Sequence, residues 1–338
     1  MSDWVLEVDN LSVEFDTYGG IVNAVRGISY RVAQGQTLAV VGESGCGKSV
    51  TVQALMGLIP MPPGRITSGS AKLMGRELIG LSASEINRVR GADIGMIFQD
   101  PMTSLNPTMR VGEQIAETLI AHKGVSKSDA LQQAVTLLDR TRIPEAAKRA
   151  RQYPFEFSGG MLQRVMIAMS LACKPALLIA DEPTTALDVT IQNQVLELMK
   201  EIQREEGMAI VLITHDLGVV ARMADDVAVM YAGKVVEAGS VDDIFYRSTH
   251  PYTAGLKQAM PSNRRGDHQS LNAIPGSPPD LFAIPPGCAY APRCPHAMRV
   301  CAQLDPAAQS IGGDHYACCW LNDPRVPPQR NAAMEHGE

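Results

Sequence analysis

The sequence predicts an α/β protein with a mixed sheet core, an inserted helical lobe and a small C-terminal module rich in cysteine and proline. Short apolar segments of strand length alternate with helical segments through residues 1–245. A glycine-rich segment at residues 42–49 joins one of these strands to a helix. Five of the seven cysteines and 13 of the 22 prolines lie in residues 246–338, so a large apolar core alone is not expected to hold that part together.

The individual elements follow from the spacing of the apolar residues. Strands are predicted at residues 5–15, 23–32, 37–41, 94–98, 176–180 and 209–213, and a hairpin at 227–238 that turns at Ala232-Gly233. Helices are predicted at residues 49–59, 111–122, 129–140 and 191–204. The mainly helical block at about residues 105–172 lies between two strand-rich blocks, which indicates an inserted lobe. We place the boundary with the C-terminal module between residues 245 and 246.

Composition and charge disfavour several classes of protein. The chain has 338 residues, 45% hydrophobic and 20% charged, which is ordinary for a folded protein. Its net charge of −6 is opposite in sign to that of a typical nucleic-acid-binding domain. No apolar run reaches the roughly 18–20 residues that span a bilayer, and the first residues do not resemble a signal peptide. We therefore expect a protein of the reducing cytosol, with thiols rather than disulfides and only a peripheral membrane role.

The strongest local motif is Gly42-Glu-Ser-Gly-Cys-Gly-Lys48-Ser49, which fits the pattern of a phosphate-binding loop. It follows a predicted strand and begins a predicted helix, and both flanks argue against a plain glycine-rich turn. The glycines let backbone N–H groups converge on phosphate oxygens, and the helix N-terminus adds partial positive charge. Lys48 can reach the β- and γ-phosphates, and the Ser49 hydroxyl can bind Mg²⁺.

Two adjacent carboxylates end another predicted strand. Asp181 and Glu182 follow an apolar segment, at the edge of a parallel sheet where ligands bind. Asp181 is the candidate Mg²⁺ ligand, and Glu182 is the candidate for polarising an attacking water. An exposed acidic pair that caps the next helix would give the same local sequence.

Gln99 and His215 each follow a predicted strand as well. The neutral amide of Gln99 can complete the Mg²⁺ shell or orient water. A neutral His215 imidazole can form a hydrogen bond with the γ-phosphate. Taken alone, each is an ordinary loop or structural residue, so both depend on the other motifs for their functional interpretation.

Residues 157–161, Phe-Ser-Gly-Gly-Met, resemble the signature segment of ATP-binding-cassette (ABC) ATPases. The order of the motifs also matches that family: phosphate loop, Gln99, signature, Asp181-Glu182, Ala186-Leu187-Asp188 and His215. Simple phosphate-loop GTPases and kinases lack this series. The family has glutamine where this chain has Met161, so no polar contact is assigned to that side chain.

The resemblance implies a catalytic site shared by two cassettes, because ATP lies on the phosphate loop of one and under the signature segment of the other. The chain has one copy of each motif, so a second ABC ATPase, identical or related, is implied, with Asp188 at the interface. The residues implied to contact the ATP of the partner site are Ser158, Gly159, Gly160 and Met161.

The implied catalytic residues are Lys48, Glu182 and His215, and the implied Mg²⁺ ligands are Ser49, Gln99 and Asp181. The implied ATP contacts within this chain are Phe15, Gly42, Glu43, Ser44, Gly45, Cys46, Gly47, Lys48, Ser49, Val50, Gln99, Asp181 and His215. Phe15 is the candidate for stacking on adenine, with Tyr18 as the alternative, although either ring can be packed in the protein instead. Cys46 lies at a helix N-terminus, which lowers the pKa of a thiol, so we expect alkylation to inactivate the protein and ATP to protect it.

The cysteine-bearing tail carries a second resemblance. Together with residues 98–107, it looks like the ATPases of oligopeptide, dipeptide and nickel importers, and the D-type subunits most of all. Its cysteines have the spacing C-x5-C-x6-C-x16-C, which lacks the close pair usual in zinc sites, whereas iron–sulfur clusters accept looser spacing. The resemblance favours a [4Fe–4S] cluster bound by Cys288, Cys294, Cys301 and Cys318, with Cys319 as the alternative fourth ligand. Zinc and plain buried thiols are the alternatives.

The resemblance implies the ATPase subunit of an oligopeptide or dipeptide importer, peripheral on the cytoplasmic face of the inner membrane. The implied partners are two integral membrane permease subunits and an extracytoplasmic substrate-binding protein, with no nucleic acid. The segment after Gln99, including Asn106 and Pro107, is the candidate for docking the permease. Alternatives are an importer of nickel, heme or another small solute, a soluble ABC ATPase of DNA repair or translation, and a metal-sensing regulator.

Overall fold

The structure is a computed structural model that describes residues 4–185, 187–259 and 274–326. Its strands are β1 (Trp4–Thr17), β2 (Gly20–Ala33), β3 (Thr37–Val41), β4 (Gly64–Leu73), β5 (Arg76–Glu77), β6 (Ile94–Ile97), β7 (Leu177–Asp181), β8 (Ala209–Thr214), β9 (Asp226–Tyr231), β10 (Lys234–Ser240), β11 (Gln309–Gly312) and β12 (His315–Ala317). Its α-helices are α1 (Lys48–Leu55), α2 (Ala83–Val89), α3 (Pro101–Ser104), α4 (Val111–Lys123), α5 (Lys127–Arg140), α6 (Ala146–Arg149), α7 (Gly159–Ser170), α8 (Val189–Glu206), α9 (Leu217–Met223), α10 (Val241–Tyr246), α11 (Pro251–Gln258) and α12 (Arg299–Gln303). The α/β character predicted from the sequence is confirmed.

The chain divides into two compact units, each built from separate stretches of sequence. The first unit comprises Met1–Glu7, Arg31–Thr37 and Lys72–Ile213. The second comprises Val8–Tyr30, Leu38–Ala71 and Thr214–Glu338. The boundary proposed between residues 245 and 246 falls inside the second unit and stays a prediction.

The first unit contains a parallel sheet and the helical lobe. The strands lie in the order β8-β7-β6, with Leu178 paired to Ile210 on one side and to Gly95 on the other. Helices α4, α5, α6 and α7 fall within the segment where the sequence predicts a lobe. They share a core of residues from all four helices and their connections, which includes Val111, Ile115, Leu119, Ala130, Ala134, Leu138, Ala146, Leu162 and Val165.

The second unit contains a mixed sheet with strand order β11-β12-β10-β9-β3. Strands β3 and β9 are parallel, whereas β9, β10, β12 and β11 pair antiparallel. The β9–β10 hairpin was predicted and is confirmed. The tail contributes β11 and β12, and Glu237 of β10 stands opposite Ala317 of β12. Because β12 pairs with the hairpin, the tail is part of this sheet.

Helix α1 is shorter than the sequence predicts. The predicted helix runs to residue 59, but α1 ends at Leu55 because Gly57 adopts a left-handed φ of 58° and donates its N–H to Ala54 O. No helix within the described parts of the chain is both long and apolar enough to cross a bilayer.

Candidate nucleotide-binding site

The phosphate loop lies between the fully buried strand β3 and helix α1, both in the second unit. Two of its glycines are required by close backbone contacts. A Cβ atom on Gly42 would overlap the carbonyl oxygen of Met230, and a Cβ on Gly47 would overlap that of Ala24. Gly47 also has a φ of 101°, which favours glycine. The β9–β10 turn closes on the loop through a 3.0 Å hydrogen bond from Gly233 N–H to Cys46 O.

Lys48 begins α1 and is bound to the loop itself. Its ammonium group donates to the carbonyl oxygens of Gly42 at 2.8 Å and Glu43 at 3.0 Å. Lys48 is buried, so these carbonyls compensate for the loss of water around the charge. The site therefore holds a preformed cation, as binding of an anionic phosphate requires.

The expected lowering of the Cys46 pKa by the helix N-terminus is wrong. The thiol is 6% exposed, and burial raises its pKa despite the opposing effect of the Lys48 ammonium. Desolvation of the thiolate outweighs both this cation and the helix N-terminus. Cys46 is a packed residue of the loop, with its Sγ 3.8 Å from Lys48 Nζ.

The other residues of the second unit that are predicted to contact ATP lie in different environments. Ser49 and Val50 are half-buried on α1, whereas Ser44 and Gly45 are exposed at the top of the loop. Phe15 is half-buried on β1 with its ring against Gly64, while Tyr18 is fully exposed at the β1–β2 turn. His215 is exposed just after β8. Their roles toward ATP stay predictions, including the choice between Phe15 and Tyr18.

The two predicted carboxylates, Asp181 and Glu182, belong to the first unit. Asp181 ends β7 and is buried, and Glu182 follows with a left-handed φ of 47°. One carboxylate oxygen of Glu182 accepts hydrogen bonds of 2.9 Å from both the Gln99 amide and the Thr185 hydroxyl. The structure thus brings Gln99 and Glu182 together. Thr185 is a residue of this cluster that the sequence motifs do not single out, although its hydroxyl three residues after a candidate base is visible in the sequence.

The signature segment forms the start of α7 in the first unit. Ser158 is the exposed N-cap residue, and its side chain makes no capping hydrogen bond to the helix. A Cβ on Gly160 would lie 2.7 Å from Ile191 Cγ2 of α8, so a larger residue does not fit there without displacement. Met161 packs against the apolar core of the lobe. The methionine at position 161 therefore contributes to the packing of the lobe.

Asp188 is the N-cap of α8. Its carboxylate accepts 3.0 Å hydrogen bonds from the N–H groups of Thr190 and Ile191, which stabilises the helix start. Asp188 is exposed, and its assignment to an interface with a second cassette stays a prediction.

Glu43 of the phosphate loop has partners that the sequence did not reveal. The phenol oxygen of Tyr252, on α11, accepts its backbone N–H at 2.9 Å. The guanidinium of Arg293, in the tail, donates to both carboxylate oxygens, at 2.6 and 2.9 Å. Glu43 and Arg293 are 250 residues apart in the sequence, and no local pattern links them.

The cysteines of the tail are buried or half-buried thiols. Burial raises the pKa of Cys294 to about 11 and that of Cys319 to about 12, and the charges of Cys288, Cys294 and Cys301 raise the latter further. The thiol of Cys318 points to Val235 O at 3.5 Å. Across residues 4–185, 187–259 and 274–326, no group of three or more His, Cys, Asp or Glu side chains is arranged to hold a metal ion. As placed, the thiols do not form the predicted cluster site.

Comparison with known proteins gives matches along nearly the whole chain. Residues 25–185 match the ABC transporter family, and residues 236–301 match the C-terminal region of oligopeptide/dipeptide transporters. The chain is 55% identical over 323 residues to the oligopeptide transport ATP-binding protein OppD of Bacillus subtilis (strain 168), which covers 96% of this chain and 90% of that protein. It is 54% identical over 322 residues to the dipeptide transport ATP-binding protein DppD of the same organism, covering 95% and 96%.

A solved structure has the same cassette architecture. It is the dimeric, post-hydrolysis state of the ATP-binding cassette MJ0796 bound to ADP and phosphate, with a TM-score of 0.63 and 26% identity. The match covers 70% of this chain and 98% of that one. Together with the sequence relatives, it establishes that this chain belongs to the family of ATP-binding proteins of oligopeptide and dipeptide ABC transporters.

Proposed function

We propose that this protein is the ATP-hydrolysing subunit that powers import of oligopeptides or dipeptides across the cytoplasmic membrane. The observation that carries the proposal is its similarity, over 96% of its length, to an oligopeptide transport ATP-binding protein, tail included. The preformed phosphate loop with the buried Lys48 supports ATP binding. The Gln99–Glu182 contact supports hydrolysis.

The proposed chemistry is positioning and electrostatic stabilisation of phosphoryl transfer to water. Lys48 contributes positive charge toward the β- and γ-phosphates, and oxygen donors on Ser49 and Asp181 suit Mg²⁺. Glu182 orients the attacking water and accepts its proton, while His215 contacts the γ-phosphate. Mg²⁺ supplies charge neutralisation of the phosphates when bound.

The fixed position of Glu182 supports its role as the base. Gln99 and Thr185 both donate to one of its carboxylate oxygens, which limits the side chain to a narrow set of rotamers. A positioned base costs less to reorganise during the reaction than a mobile one. Gln99 links this base to the segment that we assign to the permease, so docking can alter hydrolysis.

A cleft in the helical lobe is the proposed docking surface for the permease. It has a volume of about 340 Å³ and includes Asn106, Met109, Gln114, Ala121 and His122 among its lining residues. The Gln114 side chain accepts from Asn106 N–H at 2.9 Å and donates to Asn106 O at 2.9 Å. These bonds hold the segment after Gln99 in a defined conformation. Replacing Ala121 by Trp places a large side chain in the cleft and is expected to abolish transport while the isolated protein still binds ATP.

The proposed assembly pairs this chain with a second ABC ATPase, identical or related, whose signature segment completes the ATP site. Two integral membrane permease subunits and an extracytoplasmic substrate-binding protein form the rest of the importer. The protein is then peripheral on the cytoplasmic face of the inner membrane. The names of the relatives, which are peptide transport proteins, support this assembly.

The [4Fe–4S] cluster in the tail stays a prediction from the sequence. Its candidate ligands are the thiols of Cys288, Cys294, Cys301 and Cys318, with Cys319 as the alternative fourth ligand. Burial raises the pKa values of Cys294 and Cys319, so binding of iron has to displace their protons. Iron and sulfide analysis of anaerobically purified protein, with absorbance near about 400 nm, tests the cluster. A protein that contains zinc but no iron would contradict the cluster prediction.

The decisive experiment is transport by the reconstituted importer. With the permease and binding protein in liposomes, uptake of defined di- and oligopeptides is expected to require Mg-ATP on the side of this protein. Glu182→Gln keeps an oxygen that accepts from Gln99 and Thr185 but removes the base. Hydrolysis should fall by about 10²–10⁴-fold while ATP binding is retained.

Three results would contradict the proposal. Uptake of nickel or heme without uptake of peptides would mean that the importer carries nickel or heme instead of peptides. Co-purification with nucleic acid rather than membrane subunits would indicate a soluble ABC ATPase. Undiminished hydrolysis in the Glu182→Gln variant would remove Glu182 from its assigned role.

A further inference from the structure

A residue of the cysteine-bearing tail reaches into the phosphate loop. Arg293 ends a short 3-10 helix, Ala291–Arg293, and its Nη1 and Nη2 atoms lie 2.6 and 2.9 Å from the two carboxylate oxygens of Glu43. This is a two-pronged ion pair, the strongest geometry that a carboxylate and a guanidinium form. The Arg293 side chain is 5% exposed and that of Glu43 is 26% exposed, so water screens the pair little.

Every N–H of the Arg293 guanidinium has an acceptor. Besides the two bonds to Glu43, Nε donates to Pro275 O at 2.9 Å, Nη1 to the Tyr231 hydroxyl at 3.3 Å and Nη2 to Ile274 O at 3.4 Å. These five bonds match the five donors of the group. The guanidinium carbon also lies 5.8 Å from the ring centroid of Tyr231. Three hydrogen bonds other than those to Glu43 therefore also hold the Arg293 guanidinium.

The phosphate loop is held at Glu43 by both its backbone and its side chain. The Glu43 N–H donates to the Tyr252 hydroxyl, and Tyr252 is fully buried. The Glu43 carbonyl oxygen accepts from Lys48 Nζ at 3.0 Å. Arg293, Glu43 and Lys48 thus form one connected chain, from the tail to the cation that is expected to contact ATP.

We propose that Arg293 is a positioning residue for ATP binding, because it neutralises the Glu43 carboxylate and holds it on the tail side of the phosphate loop. Glu43 brings a negative charge into a loop that has to accept a triphosphate. Without Arg293 this charge would be unpaired, would repel the phosphates and would compete for Lys48. The inference rests on the proposed binding of ATP at this loop. It makes the tail a structural part of the nucleotide site.

The test is a double-mutant cycle on the full-length protein, with the affinity for Mg-ATP measured by calorimetry. Arg293→Met leaves the Glu43 carboxylate unpaired and should weaken ATP binding by about tenfold or more. Glu43→Gln removes the charge and provides the second background of the cycle, whatever its own effect on the affinity. In the Glu43→Gln background, adding Arg293→Met should lower the affinity by less than about threefold, because no unpaired charge remains.

A second ion pair of the tail provides the matched control. Lys234 of β10 donates to the Asp305 carboxylate at 2.9 Å and to Pro306 O at 3.0 Å, and neither bond involves the phosphate loop. Asp305→Asn weakens the attachment of the tail and should lower the melting temperature without changing the affinity for ATP. Loss of ATP binding in this variant would mean that any loosening of the tail disturbs the site.

Rescue by the double variant distinguishes electrostatic positioning from general damage. If Arg293→Met weakens ATP binding as much in the Glu43→Gln background as in the unaltered protein, the inference is overturned. If Arg293→Met does not fold, Arg293→Lys replaces it, since lysine keeps the charge but not the two-pronged geometry. An intermediate loss of about threefold, rescued by Glu43→Gln, supports the inference, and an unchanged affinity overturns it. If the unaltered protein binds no ATP, the proposed function itself fails.

Discussion

His250 begins helix α11 with a buried imidazole, which ties the stability of the second unit to pH. The side chain is 1% exposed, and burial lowers its pKa from 6.5 to about 4, against the opposing effect of the Glu237 carboxylate. Its Nδ1 accepts the N–H of Tyr252 at 3.1 Å, which requires Nδ1 without a proton. Protonation would therefore break the cap of the helix that carries Tyr252 to the phosphate loop.

The sign and size of the effect follow from the two pKa values. The unfolded chain binds a proton at His250 below about pH 6.5, whereas the folded chain binds it only below about pH 4. The contribution of His250 to stability is therefore constant above pH 6.5 and falls as the pH decreases from 6.5 to 4. The pKa falls from 6.5 to about 4, and at about 1.4 kcal/mol for each pH unit this shift corresponds to about 3–4 kcal/mol of stability.

His250→Asn isolates this contribution. Asparagine at an N-cap supplies an oxygen acceptor for the same N–H but does not titrate. Urea unfolding of both proteins at several pH values between about 7 and 4.5 measures their free energies of unfolding. Carboxylates that do not face His250 titrate alike in both proteins and cancel. Glu237 does face it: burial raises the pKa of this carboxylate, but hydrogen bonds with His315 and Thr249 and the charge of His250 lower it overall, so its interaction with His250 is part of the measured difference. We expect the difference between the two proteins to change by about 2–3 kcal/mol over this range.

Parallel stability curves for the two proteins would refute the reasoning. They would mean that the imidazole is accessible to protons in the folded state, or that another group absorbs the proton. The constant offset between such parallel curves would measure only how well histidine and asparagine cap the helix.

Three further predictions concern the loop and the lobe. Gly47→Ala forces a Cβ against Ala24 O at a φ of 101°, so the variant should lose ATP binding in calorimetry; unchanged affinity would contradict the close contact. Burial raises the pKa of Cys46, so this thiol should react with iodoacetamide more slowly than a free thiol, with or without ATP, when labelling is followed by mass spectrometry. Fast labelling that ATP prevents would show that the thiol is reactive after all. Leu138→Ala, at a fully buried site of the lobe core, should lower the free energy of unfolding by about 2–5 kcal/mol, whereas a loss below about 1 kcal/mol would mean that the lobe collapses around the cavity.

The sequence predicts best those parts in which local spacing is the physical cause. Apolar periodicity locates β3, α4, α5 and α8 to within a few residues, because burial of one face determines the pattern. The phosphate loop is identified by glycine spacing, and the close contacts at Gly42 and Gly47 explain those glycines. Strands β11 and β12 were missed, because their short, mostly polar sequences form strands only by pairing with the hairpin.

Charge environments were harder to predict than positions. Cys46 was expected to be reactive because a helix N-terminus follows it, yet burial has the larger effect and raises its pKa. The spacing of the tail cysteines suggested four metal ligands, but spacing does not determine whether thiols point to a common centre. The pKa of a thiol and its ability to bind a metal with other thiols both depend on the neighbouring groups in space. Most of these neighbours come from distant parts of the chain.

The sequence by itself determined that this is a cassette ATPase with a cysteine-bearing tail, because motifs of contiguous residues carry that information. Only the tertiary structure decided what Glu43 does. Its carboxylate is paired with Arg293 and its N–H with Tyr252, and these partners lie in distant segments that meet only when the tail packs onto the phosphate loop. An ion pair between distant residues is formed by packing rather than by local preference, so it leaves no signal in the spacing of residues along the chain.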